Sequence, residues 1–249
     1  MYGEREKIPT DIEDLDMALN GGIPKGNVVL LSGTCGTGKT TISIEYLVRG
    51  AKRGENSAFI SVTEPSIKLL ENMRTYEFFD ETLLDESKLF FIDMSTVYRK
   101  LGLLGQDHTI EDIDTLLNSF DNVVRALDIK RVVVDSITAI CNRLREKSRI
   151  RDFVYNLSKS LTNQGATSIL ISEIGKGMTE YSVYGVEEAV ADGIIMLGDI
   201  ERRGDLIRTL QIIKMRGTPH SRSRYAMELT PNGLILVPVL KWGDTGVRI

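Results

Sequence analysis

Residues 33–40 read Gly-Thr-Cys-Gly-Thr-Gly-Lys-Thr, which is a complete G-x-x-x-x-G-K-[ST] phosphate loop. An apolar run from Asn27 to Ser32 precedes the loop, and a helix-forming stretch from Thr41 to Gly50 follows it. In such a loop the glycines let backbone N–H groups curve around phosphates, while Lys39 reaches the β and γ phosphates and Thr40 ligates Mg²⁺. The helix N-terminus adds its positive end. The order of strand, loop and helix therefore predicts a nucleoside triphosphate site.

The predicted nucleotide contacts cover the whole loop and the residue after it. They are Gly33, Thr34, Cys35, Gly36, Thr37, Gly38, Lys39, Thr40 and Thr41. No Asn/Thr-Lys-x-Asp element of the kind that reads guanine follows in the sequence. We therefore expect ATP and Mg²⁺ as the ligands.

Acidic residues follow three apolar, strand-like runs. Asp135 ends a Walker-B pattern and is the predicted second Mg²⁺ ligand, although an Asp after a strand also serves as a helix N-cap. Glu64 is the predicted activator of the attacking water, and the alternative is a solvated loop residue. Glu173 stands where a polar group can sense the γ phosphate. These positions share the carboxyl edge of the sheet, where open α/β folds bind ligands.

Apolar, β-branched runs alternate with longer amphipathic stretches, a pattern that predicts βαβ units and a parallel sheet. The predicted parallel strands are Val28–Leu31, Ala58–Val62, Leu89–Ile92, Val132–Val134 and Ser168–Ile171. After Asp192, runs separated by hairpin signals predict antiparallel strands at Gly193–Leu197, Leu206–Met215, Tyr225–Leu229 and Leu234–Val237. The expected fold class is α/β, a mainly parallel sheet flanked by helices with a C-terminal antiparallel extension. One domain over 1–249 is expected, its core at about 8–240 and a possible tail at 241–249.

Composition limits the classes of partner. The 31 basic and 35 acidic residues give a net charge of −4, so no field of the whole protein attracts nucleic acid or an acidic membrane. The two cysteines, Cys35 and Cys141, form no disulfide framework or metal-ligand pair, which fits a reducing cytosol. No apolar run approaches the ~18 residues of a membrane span. We expect a cytoplasmic protein without membrane insertion.

Longer motifs resemble a known family. The phosphate loop, Val132-Val-Val-Asp-Ser136 and the upstream Asp16…Gly21-Gly22-Ile23-Pro24 resemble the RecA-type ATPase core. Within that superfamily, Ile213-Lys-Met-Arg-Gly-Thr-Pro-His220 and Tyr184-Gly-Val-Glu-Glu188 closely resemble the KaiC family of single-domain archaeal and bacterial ATPases. The resemblance runs from about Ile8 to Leu240. It implies a RecA-like fold and six-membered homo-oligomeric rings that hold ATP between neighbouring subunits.

The resemblance also implies that Lys214 and Arg216 reach the γ phosphate of the adjacent subunit's ATP, with His220 close to the same nucleotide. The two cations are two residues apart on a predicted strand, so both project to one face. Delivered across an interface, they would neutralise charge on the transferred phosphoryl group as arginine fingers do. The alternative is an exposed strand face near a turn.

One position departs from the family pattern. KaiC-like proteins usually carry two adjacent glutamates after the second strand, whereas this chain reads Val62-Thr63-Glu64-Pro65, with Thr63 in place of the first. A hydroxyl is a poor general base. Either Glu64 takes the role, or hydrolysis is slow and ATP binding carries the signal to a regulatory protein partner. The sequence holds one core domain, so the tandem-domain clock function is not carried over.

A basic segment raises the question of nucleic acid. Arg143, Arg145, Lys147, Arg149 and Arg151 place five cations within nine residues. The corresponding loop of RecA-like recombinases contacts DNA, and such a stripe would bind nucleic acid in a salt-sensitive way. The alternative, which we favour, is a charged solvent-facing helix start, since no aromatic residue interrupts the stripe to stack on bases. A non-hydrolysing scaffold and a recombinase paralogue therefore stay open beside the ATPase.

Overall fold

The computed structural model describes residues 5–101, 110–175, 177 and 180–239. The suggested tail at 241–249 lies outside the described residues. The strands are β1 (Lys7–Ile8), β2 (Ile23–Pro24), β3 (Val28–Gly33), β4 (Ser57–Ser61), β5 (Leu89–Asp93), β6 (Arg131–Asp135), β7 (Thr167–Glu173), β8 (Gly193–Arg202), β9 (Asp205–Met215), β10 (Arg224–Thr230) and β11 (Gly233–Pro238). The helices are α1 (Glu13–Ala18), α2 (Lys39–Lys52), α3 (Ser66–Met73), α4 (Thr82–Asp85), α5 (Met94–Leu101), α6 (Ile110–Ala126), α7 (Ile137–Cys141), α8 (Lys147–Asn163) and α9 (Glu187–Val190).

The main sheet has the strand order β11-β10-β9-β8-β3-β7-β6-β4-β5. Six consecutive strands of this order pair in parallel: β8, β3, β7, β6, β4 and β5. The other three strands, β9, β10 and β11, extend the sheet from β8 by antiparallel pairing. The predicted α/β class with an antiparallel C-terminal extension is confirmed. One strand differs, because β8 pairs parallel with β3 as well as antiparallel with β9. The antiparallel part therefore begins at β9.

Both faces of the sheet are covered. Alternate residues of β3 divide between two apolar clusters, with Val29 and Leu31 on one face and Val28 and Leu30 on the other. The first cluster includes residues of α1, α2, α3 and α4, and the second includes residues of α6, α7 and α8. Strands buried on both faces read as unbroken apolar runs, which is why the parallel strands were visible in the sequence. In the described part of the chain, no helix is long and apolar enough to cross a membrane.

A buried arginine joins the first segments of the chain to the sheet. Arg131 begins β6, and its side chain is fully buried. Its guanidinium donates to the carbonyls of Tyr46 at 3.0 Å and Pro9 at 2.9 Å, and it pairs with the carboxylate of Glu55. It also lies 4.6 Å from the centre of the Tyr46 ring. Because a buried charge is tolerated only when it is paired and hydrogen-bonded, these contacts fix α2 against β6.

The Arg131 side chain explains a glycine in the last turn of α2. A Cβ atom at Gly50 would overlap the Nε, Cδ and Cζ atoms of Arg131. We therefore expect Gly50→Ala to lower the free energy of unfolding by about 1–3 kcal/mol through overpacking. Helix propensity alone would raise it by roughly 1 kcal/mol. Urea titration measures the change in the free energy of unfolding. A Gly50→Ala variant more stable than the parent would contradict the close contact between Gly50 and Arg131.

The matched control places Gly50→Ala in an Arg131→Ala background. There the overlapping atoms are gone, so the cost of Gly50→Ala should shrink or reverse. The difference between the two backgrounds measures the coupling of the two positions.

Candidate functional site

The candidate site lies at the carboxyl ends of four adjacent parallel strands. Gly33, the last residue of β3, pairs with Glu173, the last residue of β7. Asp135 ends β6 and pairs with Ser61, which ends β4. The order β3-β7-β6-β4 therefore places Glu173 between the phosphate loop and Asp135 along the sheet edge. The Walker motifs, separated widely in sequence, meet at this edge.

The phosphate loop has the conformation that an anion cradle requires. Gly36 and Gly38 have φ of +82° and +94°, values that residues with a Cβ rarely adopt. Helix α2 begins at Lys39 and carries no acidic side chain in its first turn, so its N-terminus keeps its positive potential. The Lys39 ammonium donates to the carbonyls of Gly33 at 2.9 Å and Thr34 at 2.8 Å. The lysine is thus held beside the loop.

Thr40 and Asp135 form the candidate Mg²⁺ site. The Thr40 hydroxyl donates to Asp135 Oδ2 at 2.7 Å. A hydroxyl and a carboxylate oxygen are ligands that Mg²⁺ prefers, and here they face each other beside the loop. Asp135 does not cap the following helix, since Ser136 is the N-cap of α7 and accepts from Ala139 N at 3.3 Å. The pair fits a magnesium ion, and the N-cap alternative for Asp135 is wrong.

Burial shifts the pKa values of both Lys39 and Asp135. Burial lowers the pKa of Lys39, and the carboxylates of Glu173 and Asp135 partly offset that effect. Burial also raises the pKa of Asp135 above its ordinary value of 3.8, against the hydrogen bond from Thr40, while the carboxylates of Glu173 and Glu64 raise it further. The site therefore gathers three carboxylates around one ammonium. Divalent cation binding would relieve the repulsion among these acids.

The two candidates for water activation occupy different places. Glu64 lies three residues beyond β4, half-buried, and its carboxylate pairs with Lys68 at 3.1 Å. Its backbone carbonyl accepts from the hydroxyl of Ser61, while Thr63 is exposed. Glu173 is exposed beside the loop, and its N–H donates to Thr138 Oγ1 at 3.0 Å. Both acids reach the carboxyl edge, but Glu173 stands on the strand adjacent to the loop.

A groove opens beside the phosphate loop, and sequence patterns gave no sign of it. It has a volume of about 470 Å³ and is lined by residues of β9, β10 and β11, including Arg208, Met227 and Leu229. Arg208 Nε donates to the carbonyl of Gly36 at 3.1 Å. A Cβ at Gly38 would lie 2.6 Å from Leu229 Cδ1. Two residues of the groove lining, Arg208 and Leu229, therefore contact the loop.

The remaining predicted residues lie at the opposite end of the sheet. Lys214 pairs with Ile194 in the sheet. Arg216 N donates to Asp192 O at 2.9 Å, and the N–H of Asp192 donates to Val28 O. Arg216 is therefore level with the start of β3, roughly 16 Å before Gly33 at about 3.3 Å per residue. His220 lies beyond it, in a segment where Ser221 N donates to Ala18 O at 2.8 Å. The chain does not bring these three residues to its own phosphate loop.

Lys214 and Arg216 rest on the end of α9. Lys214 Nζ donates to the carbonyls of Glu188 at 3.0 Å and Ala191 at 2.6 Å, and Arg216 Nη2 donates to Ala189 O at 3.3 Å. Burial and the neighbouring guanidinium lower the pKa of Lys214. Both side chains therefore project to one side, as their spacing predicted. Arg216 also pairs with Asp192 at 3.4 Å.

Comparison with known proteins identifies the family. Residues 8–241 match the family described as "ATPase: KaiC". The chain belongs to the KaiC family. A UPF0273 protein of Pyrococcus furiosus is 35% identical over 95% of this chain and 97% of its own length. The circadian clock protein KaiC3 of Synechocystis is 30% identical over 94% of this chain and 46% of its own length.

A solved structure agrees with this assignment. The crystal structure of a KaiC-like protein from Pyrococcus horikoshii superposes with a TM-score of 0.80 at 33% identity, covering 94% of this chain and 100% of that one. This KaiC-family chain spans about half the length of the clock proteins that it matches, and nearly all of the UPF0273 relatives. The resemblance seen in the sequence is confirmed, and a P-loop nucleotide-binding fold follows.

The raised pKa of Asp135 leads to a prediction about pH. A carboxyl whose pKa is higher in the folded than in the unfolded protein contributes stability below the unfolded value, and that contribution is lost as pH rises through the folded value. Without Mg²⁺ or nucleotide, Asp135→Asn should therefore unfold at a higher temperature at neutral pH than the parent. The gain should vanish near pH 4.

Mg-ATP provides the second readout of this variant, because it should stabilise the parent protein far more than Asp135→Asn. Thermal melts across pH 4–8, with and without Mg-ATP, measure both effects. A variant that is less stable than the parent at neutral pH without ligand would contradict the assignment. Asp80→Asn is the control, since Asp80 is a half-buried acid whose pKa is lowered by the hydrogen bond from the Thr82 hydroxyl.

Proposed function

We propose that this KaiC-family chain binds Mg-ATP and hydrolyses it in a ring of identical subunits. The observation that carries the proposal is the meeting of Lys39, Thr40 and Asp135 at one sheet edge, with Thr40 and Asp135 2.7 Å apart. Lys39 and the loop amides would hold the phosphates, and Thr40 with Asp135 would hold Mg²⁺. Bound Mg²⁺ supplies positive charge that offsets the charge of the β and γ phosphates.

The groove beside the loop is the proposed site of the nucleoside. Two of its lining residues, Arg208 and Leu229, contact the loop at Gly36 and Gly38. Its lining is mostly apolar, with one cation, Arg208, and one acid, Glu228. Apolar walls with a few polar groups are typical of small-molecule sites. Its volume of about 470 Å³ suits a base and ribose. The phosphates of the same nucleotide would then extend along the loop toward Asp135.

A shared site is proposed because the cations of β9 cannot serve their own loop. Lys214 and Arg216 lie at the amino end of the sheet, whereas the phosphate loop lies at its carboxyl end. Arg216 is exposed and Lys214 is half-buried on the carbonyls of α9, so a second copy of the chain could reach both. Head-to-tail contact between the two ends, repeated around an axis, closes a ring. His220 would approach the same nucleotide from the donating subunit.

Mixed subunits test the shared site. Lys39→Ala should abolish phosphate release, because the variant no longer holds the β and γ phosphates of ATP. Arg216→Ala should lower the rate of phosphate release by about 10³-fold or more, as removal of an arginine finger does. Mixing the two variants should restore part of the activity, because a Lys39→Ala subunit can supply Arg216 to the intact loop of its neighbour. Steady-state phosphate release at saturating Mg-ATP measures this, with oligomeric state checked by light scattering.

Arg222→Ala is the matched control for Arg216→Ala, since Arg222 is an exposed arginine close in sequence and should leave turnover unchanged. An active monomer at every concentration of Mg-ATP would overturn the ring. Failure of the mixture to regain activity, with mixed oligomers present, would overturn action in trans.

Two glutamine variants test water activation, which we assign to Glu64. Glu64→Gln should lower turnover by about 10²- to 10⁴-fold with ATP binding kept, the effect expected of losing a general base. Glu173→Gln should keep turnover and bind ATP more tightly, because it removes a negative charge beside Lys39. Single-turnover rates and nucleotide titrations separate the two effects. The opposite pattern would assign water activation to Glu173.

A nucleotide-gated scaffold is the second candidate, favoured by the exposed Thr63 where a catalytic acid is expected. In that case ATP occupancy alone changes the affinity for a regulatory protein partner in the cytoplasm. Turnover equal to that of Lys39→Ala, despite bound ATP, distinguishes the scaffold from the ATPase.

A further inference from the structure

Helix α8 presents a row of cationic side chains interrupted by one aromatic ring. Lys147, Arg151, Tyr155 and Lys159 are exposed and follow one another at intervals of four residues. Side chains at this spacing lie above one another on one side of a helix. We call these four residues the α8 ridge. The opposite side of α8 is buried, with Ile150, Phe153 and Leu157 in the core.

The cations of the ridge are not used within the fold. Among the described residues, Lys147, Arg151 and Lys159 form no ion pair, whereas the nearby Arg149 pairs with Glu146 at 3.4 Å. Two exposed acids, Glu146 and Asp152, lie beside the ridge, and the charge of Glu146 is offset by Arg149. Three positive charges against one negative charge leave a local excess on a chain whose net charge is −4. A polyanion is the ligand class that such an excess attracts.

Tyr155 narrows the ligand class. Its side chain is 55% exposed, which is high for a large aromatic residue, and it stands between Arg151 and Lys159. Surfaces that bind single strands combine cations that follow the backbone with aromatic rings on which bases stack. The sequence stripe of residues 143–151 lacked such an aromatic, and the helix supplies it one turn later.

We propose that the α8 ridge binds single-stranded nucleic acid. Lys147, Arg151 and Lys159 contact phosphates, and the ring of Tyr155 stacks on a base. The four-residue spacing advances about 6 Å per step along the helix, so the contacts fall on successive parts of one strand. A base must be unpaired to stack on the ring, which excludes an intact duplex as the main ligand. The proposal does not depend on ATP hydrolysis.

Fluorescence anisotropy with a labelled oligothymidylate tests the proposal on the full chain, with and without Mg-ATP. Three phosphate contacts predict a slope of log affinity against log salt of about −2, hence roughly 20-fold weaker binding at 200 mM than at 50 mM salt. Lys147→Glu with Arg151→Glu should remove binding. Tyr155→Ala should weaken it about 5- to 150-fold, and Tyr155→Phe should keep it, since the ring alone stacks.

Arg125→Glu with Lys130→Glu is the charge-matched control. Both residues are exposed, and near the end of α6 they pair with Asp121 at 2.7 Å and Asp128 at 2.6 Å. This control should bind as the parent does. Absence of salt-dependent binding by the parent would overturn the proposal. If Tyr155→Ala binds as tightly as the parent, or if the parent binds a duplex as tightly as a single strand, recognition of single strands is overturned. If the parent binds no oligonucleotide and the Lys147→Glu, Arg151→Glu variant loses self-association, the ridge is a contact between copies of the chain.

Discussion

The parallel pairing of β3, β7, β6 and β4 is the constraint on which the site depends. Parallel strands end at the same edge, so Gly33, Glu173, Asp135 and Ser61 meet there whatever their separation in sequence. A slip of one residue in any of these pairings would exchange the side chains that a strand places in the two cores and disrupt the packing of both. The apolar packing that fixes register therefore also fixes the geometry of the phosphate loop.

Buried charges are treated differently at the two ends of the sheet. At the amino end, Arg131 is fully enclosed by carbonyl groups, a carboxylate and an aromatic ring. In the middle of α2, Glu45 is also buried, and it accepts from Arg49 Nε and Leu234 N, each at 2.8 Å. At the carboxyl end, Lys39 and Asp135 carry pKa values shifted toward the neutral forms. The first charges are satisfied by the fold, and the second are satisfied best by a phosphate and a cation from solution.

Local patterns predicted the sheet, the phosphate loop and the position of Asp135 at a strand end, because strand burial and loop conformation depend on neighbouring residues. Contacts between distant segments were not predictable. The overlap of Gly50 with Arg131 depends on the packing of α2 against β6, and the contact of Arg208 with Gly36 depends on the pairing of β8 with β3. Tyr155 had no periodic signal of its own. Only the packing of α8 against the core shows that Tyr155 is exposed beside cations.

Short helices connect the nucleotide site to the cations that we propose act on a neighbour. Ser136, next to Asp135, the residue that we propose binds Mg²⁺, caps α7. Beyond the end of α7, Asn142 accepts from the hydroxyl of Tyr184. The chain then enters α9, whose carbonyls hold Lys214 and Arg216. Such a path couples two sites only if one element has two arrangements. In the ring that we propose, α9 would be that element, because its four residues form few internal hydrogen bonds and would lose two cationic partners if these turned to a phosphate.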